Sequence, residues 1–142
     1  MDYQDVKARL LRHWAHTGGP NEHIASELYH DDALLEFPQS GERFRGKANI
    51  TAWRSKYPAR LEFEPRSIRG DGNLWLAEGL IRYDDGDPMA LVKIVQFRAG
   101  LVERETIYIT EPWPPSADRS QFVDDSALEA TPGLPVRVRG GT

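Results

Sequence analysis

The sequence predicts an α+β fold, with helices gathered on one face of a curved antiparallel sheet. Three observations predict it. Residues 5–17 and 47–57 carry apolar side chains at helical spacing. Four long apolar runs follow between residues 61 and 110, separated by short turns. Beyond Glu111 that patterning stops, and Pro, Gly and Ser become frequent.

Val6, Leu10 and Trp14 stand on one i, i+4 line, with Tyr3 and Leu11 beside it and Asp5, Arg9, Arg12 and His16 opposite, so residues 5–17 read as an amphipathic helix. Gly18, Gly19 and Pro20 end it, because glycine accepts a left-handed cap and proline cannot continue the hydrogen-bond ladder. Asn21 is placed to cap a shorter second helix bearing Ile24, Ala25, Leu28 and Tyr29. Ala33–Phe37 reads as a brief strand that stops at Pro38, and residues 41–46, bracketed by two glycines, as a turn region holding Phe44. Lys47–Tyr57 reads as a third helix with Ile50, Trp53 and Tyr57 on one face, closed by Pro58. Leu61–Ile68, Leu74–Tyr83, Met89–Phe97 and Leu101–Thr110 are the four strands of a meander. Asp71-Gly72-Asn73 is a hairpin signal between the first two. The tail reads as an extended segment, mobile toward its end, with Trp113, Phe122 and Leu128 as the side chains able to pin it.

Composition removes several function classes. The 142 residues fit one domain, and 39% hydrophobic with 28% charged residues is ordinary for a globular chain. With a net charge of −4 and no clustered Lys and Arg, no nucleic-acid partner is expected. The absence of cysteine rules out disulfides, zinc–thiolate sites and thiol chemistry, and suits a reducing cytoplasm. The start MDYQDVKARLL lacks the basic head and apolar block of a signal peptide, and no run reads as a membrane span. His13 and His16, three apart, read as a solvated pair on the first helix, because no H-E-x-x-H carboxylate accompanies them. No metal, no cofactor, no phosphate-binding glycine loop and no nucleophile elbow is read.

Two passages carry a family resemblance. The stretch from Tyr29-His30-Asp31-Asp32 through Phe37-Pro38-Gln39-Ser40-Gly41 to Gly46 resembles the tyrosine–acid–acid, apolar-strand, F-P-x-x-G-x-x-x-x-G passage of SnoaL-like proteins. Residues 95–102 and 104–112, with Arg104-Glu105-Thr106-Ile107-Tyr108, resemble the final hairpin of the same group. Together with the element order, they make the chain similar to the nuclear-transport-factor-2-like (NTF2-like) superfold. The resemblance implies a cone around an apolar pocket over residues 1–112, with 113–142 as a Pro/Gly-rich extension. That superfold hosts isomerases, cyclases, epoxide hydrolases, dehydratases and binding domains, so it implies a fold more than an activity. Two acids expected from catalytic relatives are apolar here. Phe37 stands where ketosteroid isomerases carry an Asp before the proline, and Ile107 where many SnoaL-like chains carry an acid before the tyrosine.

Candidate site residues follow, each with a plainer reading beside it. Phe37, Phe44, Trp53 and Trp75 would line the pocket or simply pack as core. Trp14 would point its indole N–H inward, or find an ordinary buried partner. Tyr29, by the resemblance, would orient a ligand oxygen; otherwise it is a helix-end tyrosine with a solvated tip. Gln39 would sit at the pocket mouth or satisfy loop backbone, and Tyr108 is a further candidate lining residue. Asp31 and Asp32 read as turn chemistry. Glu36 and Glu78 alternate away from the apolar face of their strands. Glu105 shares a face with Ile107 and Ile109, opposite Arg104, Thr106, Tyr108 and Thr110. Turned inward it would be a lone buried carboxylate and the best general base in the chain; turned outward, the reading favoured here, it pairs with an arginine.

Two functions are expected from these residues. One is a domain that binds a small hydrophobic molecule in its central pocket. The other is an isomerase or cyclase-type enzyme acting on a cyclic or polyketide-like carbonyl compound, with Glu105 abstracting a proton and Tyr29 or Trp14 polarising the oxygen. Leu74, Leu76 and Leu80 would lie on the outer face of the sheet, which predicts a homodimer through that face.

Overall fold

In the computed structural model, which describes residues 1–141, three α-helices, two before the first strand and one between the second and third, pack against a curved, open sheet of seven strands. The helices are α1 (Tyr3–His16), α2 (Glu22–Ala25) and α3 (Lys47–Ser55). The strands are β1 (Tyr29–Phe37), β2 (Glu42–Arg45), β3 (Leu61–Asp71), β4 (Leu74–Tyr83), β5 (Met89–Arg98), β6 (Leu101–Thr110) and β7 (Val138–Arg139). Their spatial order is β2-β1-β6-β5-β4-β3-β7. Strands β3 to β6 form the expected antiparallel meander, while β1 joins β6 in parallel. No helix among the described residues is long and apolar enough to cross a membrane.

The N-terminal helix forms as its spacing requires. Asp2 caps it by accepting the Asp5 N–H at 2.9 Å, and Val6, Leu10 and Trp14 are fully packed against the concave face of the sheet. Gly18 and Gly19 then turn the chain at φ of 83° and 78°. Glu22 fixes this corner, since its carboxylate accepts the Gly18 N–H at 2.7 Å.

Three local readings change. Tyr29 opens β1 rather than closing a helix, and Asp31 and Asp32 are strand residues, not turn residues. The segment between Gly41 and Gly46 contains β2, which pairs with β1 through Leu35 and Phe44. His13 is buried against Tyr29, ring centroids 5.5 Å apart, instead of solvated. A helix stripe wide enough to meet both the sheet and α2 covers positions that a single i, i+4 line leaves out.

The tail is tied down differently from the expectation. Trp113, Phe122 and Leu128 are exposed and pin nothing. Leu134 and Val138 pack on the core instead, and β7 adds to the edge of β3 with Val138 opposite Phe63. Gly140 donates to the Leu61 carbonyl at 2.8 Å, where a Cβ would come within 2.5 Å of the Thr17 carbonyl oxygen. Arg137 and Arg139 lie 3.5 and 3.4 Å from the Glu62 carboxylate, which adds an electrostatic latch to the pairing.

Candidate functional site

A cavity of about 120 Å³ lies between the end of α1, α3 and the concave side of the sheet. Phe37, Trp53, Tyr57 and Tyr83 make an aromatic side; Ile81, Leu91, Ile107 and Ile109 make an aliphatic one. The aromatic rings support one another. Trp53 stacks on Phe44 at 4.5 Å, Phe37 meets both edge-on at 5.9 and 6.0 Å, and Tyr57 bridges Trp53 to Tyr83. Both positions where the resemblance expects an acid, Phe37 and Ile107, are cavity wall.

Among the described residues only two charged side chains line this cavity, Arg54 and Lys93, and both are buried. Arg54 heads a network at its base. Its Nη1 donates to the Tyr29 hydroxyl at 2.8 Å, and that hydroxyl donates to Glu105 Oε1, also at 2.8 Å. Arg54 Nη2 lies 3.5 Å from the same Glu105 oxygen, and Nη1 lies 3.8 Å from Glu22. Burial alone would push the Glu105 carboxyl up, but Lys93, Arg54, His13 and the Tyr29 hydroxyl hold it down at about 2. Burial pushes Tyr29 well above the usual tyrosine range.

Lys93 has no such network. Its Nζ rests 5.2 Å from the Phe63 ring centre and 5.7 Å from that of Trp14. Burial lowers its pKa to about 8, with Arg54 adding to the drop and Glu105 and Glu22 opposing it. His13 is pushed down to about 3, first by burial and then by Lys93. A neutral imidazole whose Nδ1 contacts the Ala25 carbonyl at 2.8 Å must carry its proton on Nδ1. Its buried Nε2 is therefore a free lone pair; Trp14 Nε1 and Glu105 Oε2 are likewise buried without a hydrogen-bond partner.

The candidates named from sequence separate into three groups. Phe37 and Trp53 line the cavity, and Tyr29 and Glu105 form the buried network beneath it. Glu105 is 0% exposed, so the outward reading is overturned. Phe44 and Gln39 lie outside the cavity, along a surface hollow that shares Phe37, Trp53 and Ile109 with it. Gln39 accepts the Ile109 N–H at 2.7 Å and so satisfies backbone. Trp14, Trp75 and Tyr108 do not line the cavity. Trp14 is buried behind it, stacked on Phe63 at 5.8 Å. Trp75 belongs to the far end of the sheet, where its indole donates to Gly72 in the β3–β4 turn. Tyr108 stands on the outer face, 40% exposed. Glu36 and Glu78 point outward as expected, onto Arg104 and Arg69.

Three buried charged residues went unread in the sequence: Arg54, Lys93 and Glu22. Two had a signal. Arg54 follows Ile50 by four on α3 and so falls on the buried face. Lys93 interrupts the inward series Leu91, Val95, Phe97 of β5. Glu22 had none, because its burial depends on α3 closing over the α1–α2 corner.

Comparison with known proteins places this geometry in a family. The model of the SnoaL-like domain matches residues 8–105. No curated protein matches the chain. Among solved structures, an NTF-2 like protein of unknown function from Burkholderia xenovorans LB400 is 36% identical, with 87% of this chain and 97% of that one covered and a TM-score of 0.77. A "putative ketosteroid isomerase" from Kribbella flavida DSM 17836 shares the fold at 21% identity, covering 89% and 93%, with a TM-score of 0.74. A "putative polyketide cyclase" from Sinorhizobium meliloti aligns over 61% of this chain and 80% of its own at 26% identity and a TM-score of 0.53. The family-model match over most of the chain, together with a cone-shaped sheet closed by its N-terminal helices, makes this protein a member of the SnoaL-like family of the NTF2-like superfamily.

Proposed function

We propose that this domain binds a small hydrophobic molecule bearing an oxygen acceptor in the cavity between α3 and the sheet. The observation that carries the reading is the lining itself: apolar and aromatic walls with two buried cations, Arg54 and Lys93, among them. Such a pairing of apolar area with a few placed polar groups is how small-molecule sites gain orientation. At about 120 Å³ the space suits a single ring better than a steroid, since an apolar cavity of roughly 150 Å³ holds benzene.

Proton abstraction by Glu105, as an isomerase or cyclase would require, has less support. Its carboxylate does not line the cavity, is engaged by Tyr29 and Arg54, and is held at about 2, a weak base.

Trp53 is the one tryptophan in the cavity wall and reports on occupancy. Titration with single-ring aromatic ketones and alcohols is expected to change its fluorescence saturably, and Trp53→Phe to remove the change. A response that is absent, or that survives Trp53→Phe, would place the ligand elsewhere or nowhere.

The outer face of the sheet supports a second proposal, a homodimer. Leu74 and Leu76 are 50% and 39% exposed beside Ile94 and the exposed Tyr108, on adjacent strands. Light scattering is expected to give a dimeric mass at micromolar concentration and a monomeric mass for Leu76→Asp. A monomeric mass for the unaltered chain sinks the idea.

A further inference from the structure

Lys93 is the one lysine of four that is buried; Lys7, Lys47 and Lys56 all reach solvent. It enters the cavity wall from β5, between Ala77 of β4 and Ile107 of β6 in register. Among the described residues its amine makes no hydrogen bond and no ion pair; its contacts are the faces of Trp14 and Phe63. An ammonium with no acceptor is a costly thing to keep inside an apolar wall. Lys93 lines the cavity, and the same amine without its proton is a nucleophile at that wall.

We propose that Lys93 is a covalent docking residue, whose ε-amine condenses with an aldehyde or ketone carbonyl of the ligand to form an imine. The inference rests on the cavity being a ligand site, and it narrows the ligand class to carbonyl compounds. The amine lone pair attacks the carbonyl carbon, and the C=O pair moves onto oxygen, which takes up a proton. Nitrogen releases a proton, giving the carbinolamine. The hydroxyl is then protonated and leaves as water as the C–O bond breaks, the nitrogen lone pair forms the C=N bond, and the iminium nitrogen gives up its remaining proton. The sum is carbonyl plus amine to imine plus water, with no change of oxidation state. The protons exchange with solvent at the cavity mouth. Arg54, lining the same cavity, places positive charge where the carbonyl oxygen gains negative charge.

The surroundings keep the amine available. The titratable and charged groups that face it are His13 from α1, Glu22 from α2, Arg54 from α3 and Glu105 from β6, and with burial they leave Lys93 at about 8. At neutral pH this gives on the order of a hundredfold more free amine than an ordinary exposed lysine. Glu105 makes no ion pair with the ammonium: its Oε1 is held by Tyr29 and Arg54, and its Oε2 has no hydrogen-bond partner.

The test is reductive trapping on the whole chain. Incubation with benzaldehyde and sodium cyanoborohydride at neutral pH, followed by intact mass and peptide mapping, is expected to give one dominant benzyl adduct at Lys93. It should form roughly ten- to a hundredfold faster than adducts at Lys7, Lys47 and Lys56. The N-terminal amine is scored separately, because its ordinary pKa lies near 8. Benzyl alcohol, which has the ring but no carbonyl, is titrated in parallel against Trp53 fluorescence and should slow trapping by competition. Labelling of Lys93 no faster than the other lysines, with benzyl alcohol still binding saturably, overturns the imine and leaves the binding site standing. No Lys93 adduct and no saturable response to benzyl alcohol overturns both. The map is made on the unaltered protein, so the result does not depend on a variant that folds.

Discussion

Replacing Arg54 with alanine should cost about 3–5 kcal/mol of folding stability, the range for breaking a buried ion pair by removing one partner. Among the described residues Arg54 is the only side chain joined to Glu22, Tyr29 and Glu105 together, and both glutamates are 0% exposed. Without the guanidinium, Glu105 keeps one hydrogen bond from Tyr29 and loses the closest charge opposite it. Nothing from solvent replaces that charge at a fully buried carboxylate. Urea unfolding should show the midpoint falling at unchanged slope. Arg54→Lys should recover only part of the loss, because an ammonium cannot hold Tyr29 and Glu105 with one planar fork. The double variant Arg54→Leu/Glu105→Leu should be more stable than Arg54→Ala alone, since it removes the orphaned Glu105 carboxylate with the guanidinium and leaves only Glu22 without its partner. A cost below about 1 kcal/mol for Arg54→Ala would mean that the network is solvated rather than sealed.

Lys93→Met should act in the opposite direction and stabilise the fold at neutral pH. Holding an ammonium in an apolar wall lowers its pKa from 10.5 to about 8. At about 1.4 kcal/mol per unit, that displacement bounds the gain at roughly 3 kcal/mol, and about 1–3 is expected. Methionine fills the same length without the charge. The sign with pH is fixed by proton binding. Between about 8 and 10.5 the folded chain has released the Lys93 proton while the unfolded chain still holds it. The unfolded state then binds more protons, so the stability of the unaltered protein rises with pH across that window. The advantage of the Lys93→Met variant over the unaltered protein is therefore full below pH 8 and fades toward 10.5. Tyr29, displaced well above its usual range, contributes to both proteins alike and cancels in the difference. Denaturation of the two proteins below pH 8 and near pH 10 checks this. A variant that is less stable at neutral pH would show that the attraction between Lys93 and Glu105 outweighs the cost of burial.

Much of this architecture is legible in local pattern. Periodicity in α1, the hairpin signal at Asp71–Asn73 and the alternation of β4 locate elements whose bounds the structure reproduces, Leu74–Tyr83 and Leu101–Thr110 among them. These signals are short-range, and so are the turn and helix preferences behind them. The F-P passage and the final hairpin carry the family, and the apolar residues at Phe37 and Ile107 foretell a greasier cavity wall. The inward face of β6 is not legible in the same way. Val102 and Glu105 both point in although an odd number of residues apart, because a bulge opposite Gln96 and Phe97 shifts the register within the strand. Simple alternation cannot assign a face across such a shift.

By itself, then, the sequence determines the order and type of the long elements, from α1 through the four-strand meander, and the helix stops at Gly18 and Pro58, but not β2, β7 or the inward face of β6. Tertiary structure decides the charges. Arg54, Glu105 and Glu22 come from α3, β6 and α2, and only the closure of the helices over the sheet brings the guanidinium within 4 Å of both carboxylates. Whether Lys93 faces water or a cavity is settled in the same way, by Trp14 of α1 and Phe63 of β3 closing over it. Periodicity reports which side of an element avoids water. It carries no information on which other element arrives there, and the energy of a buried charge depends on that partner.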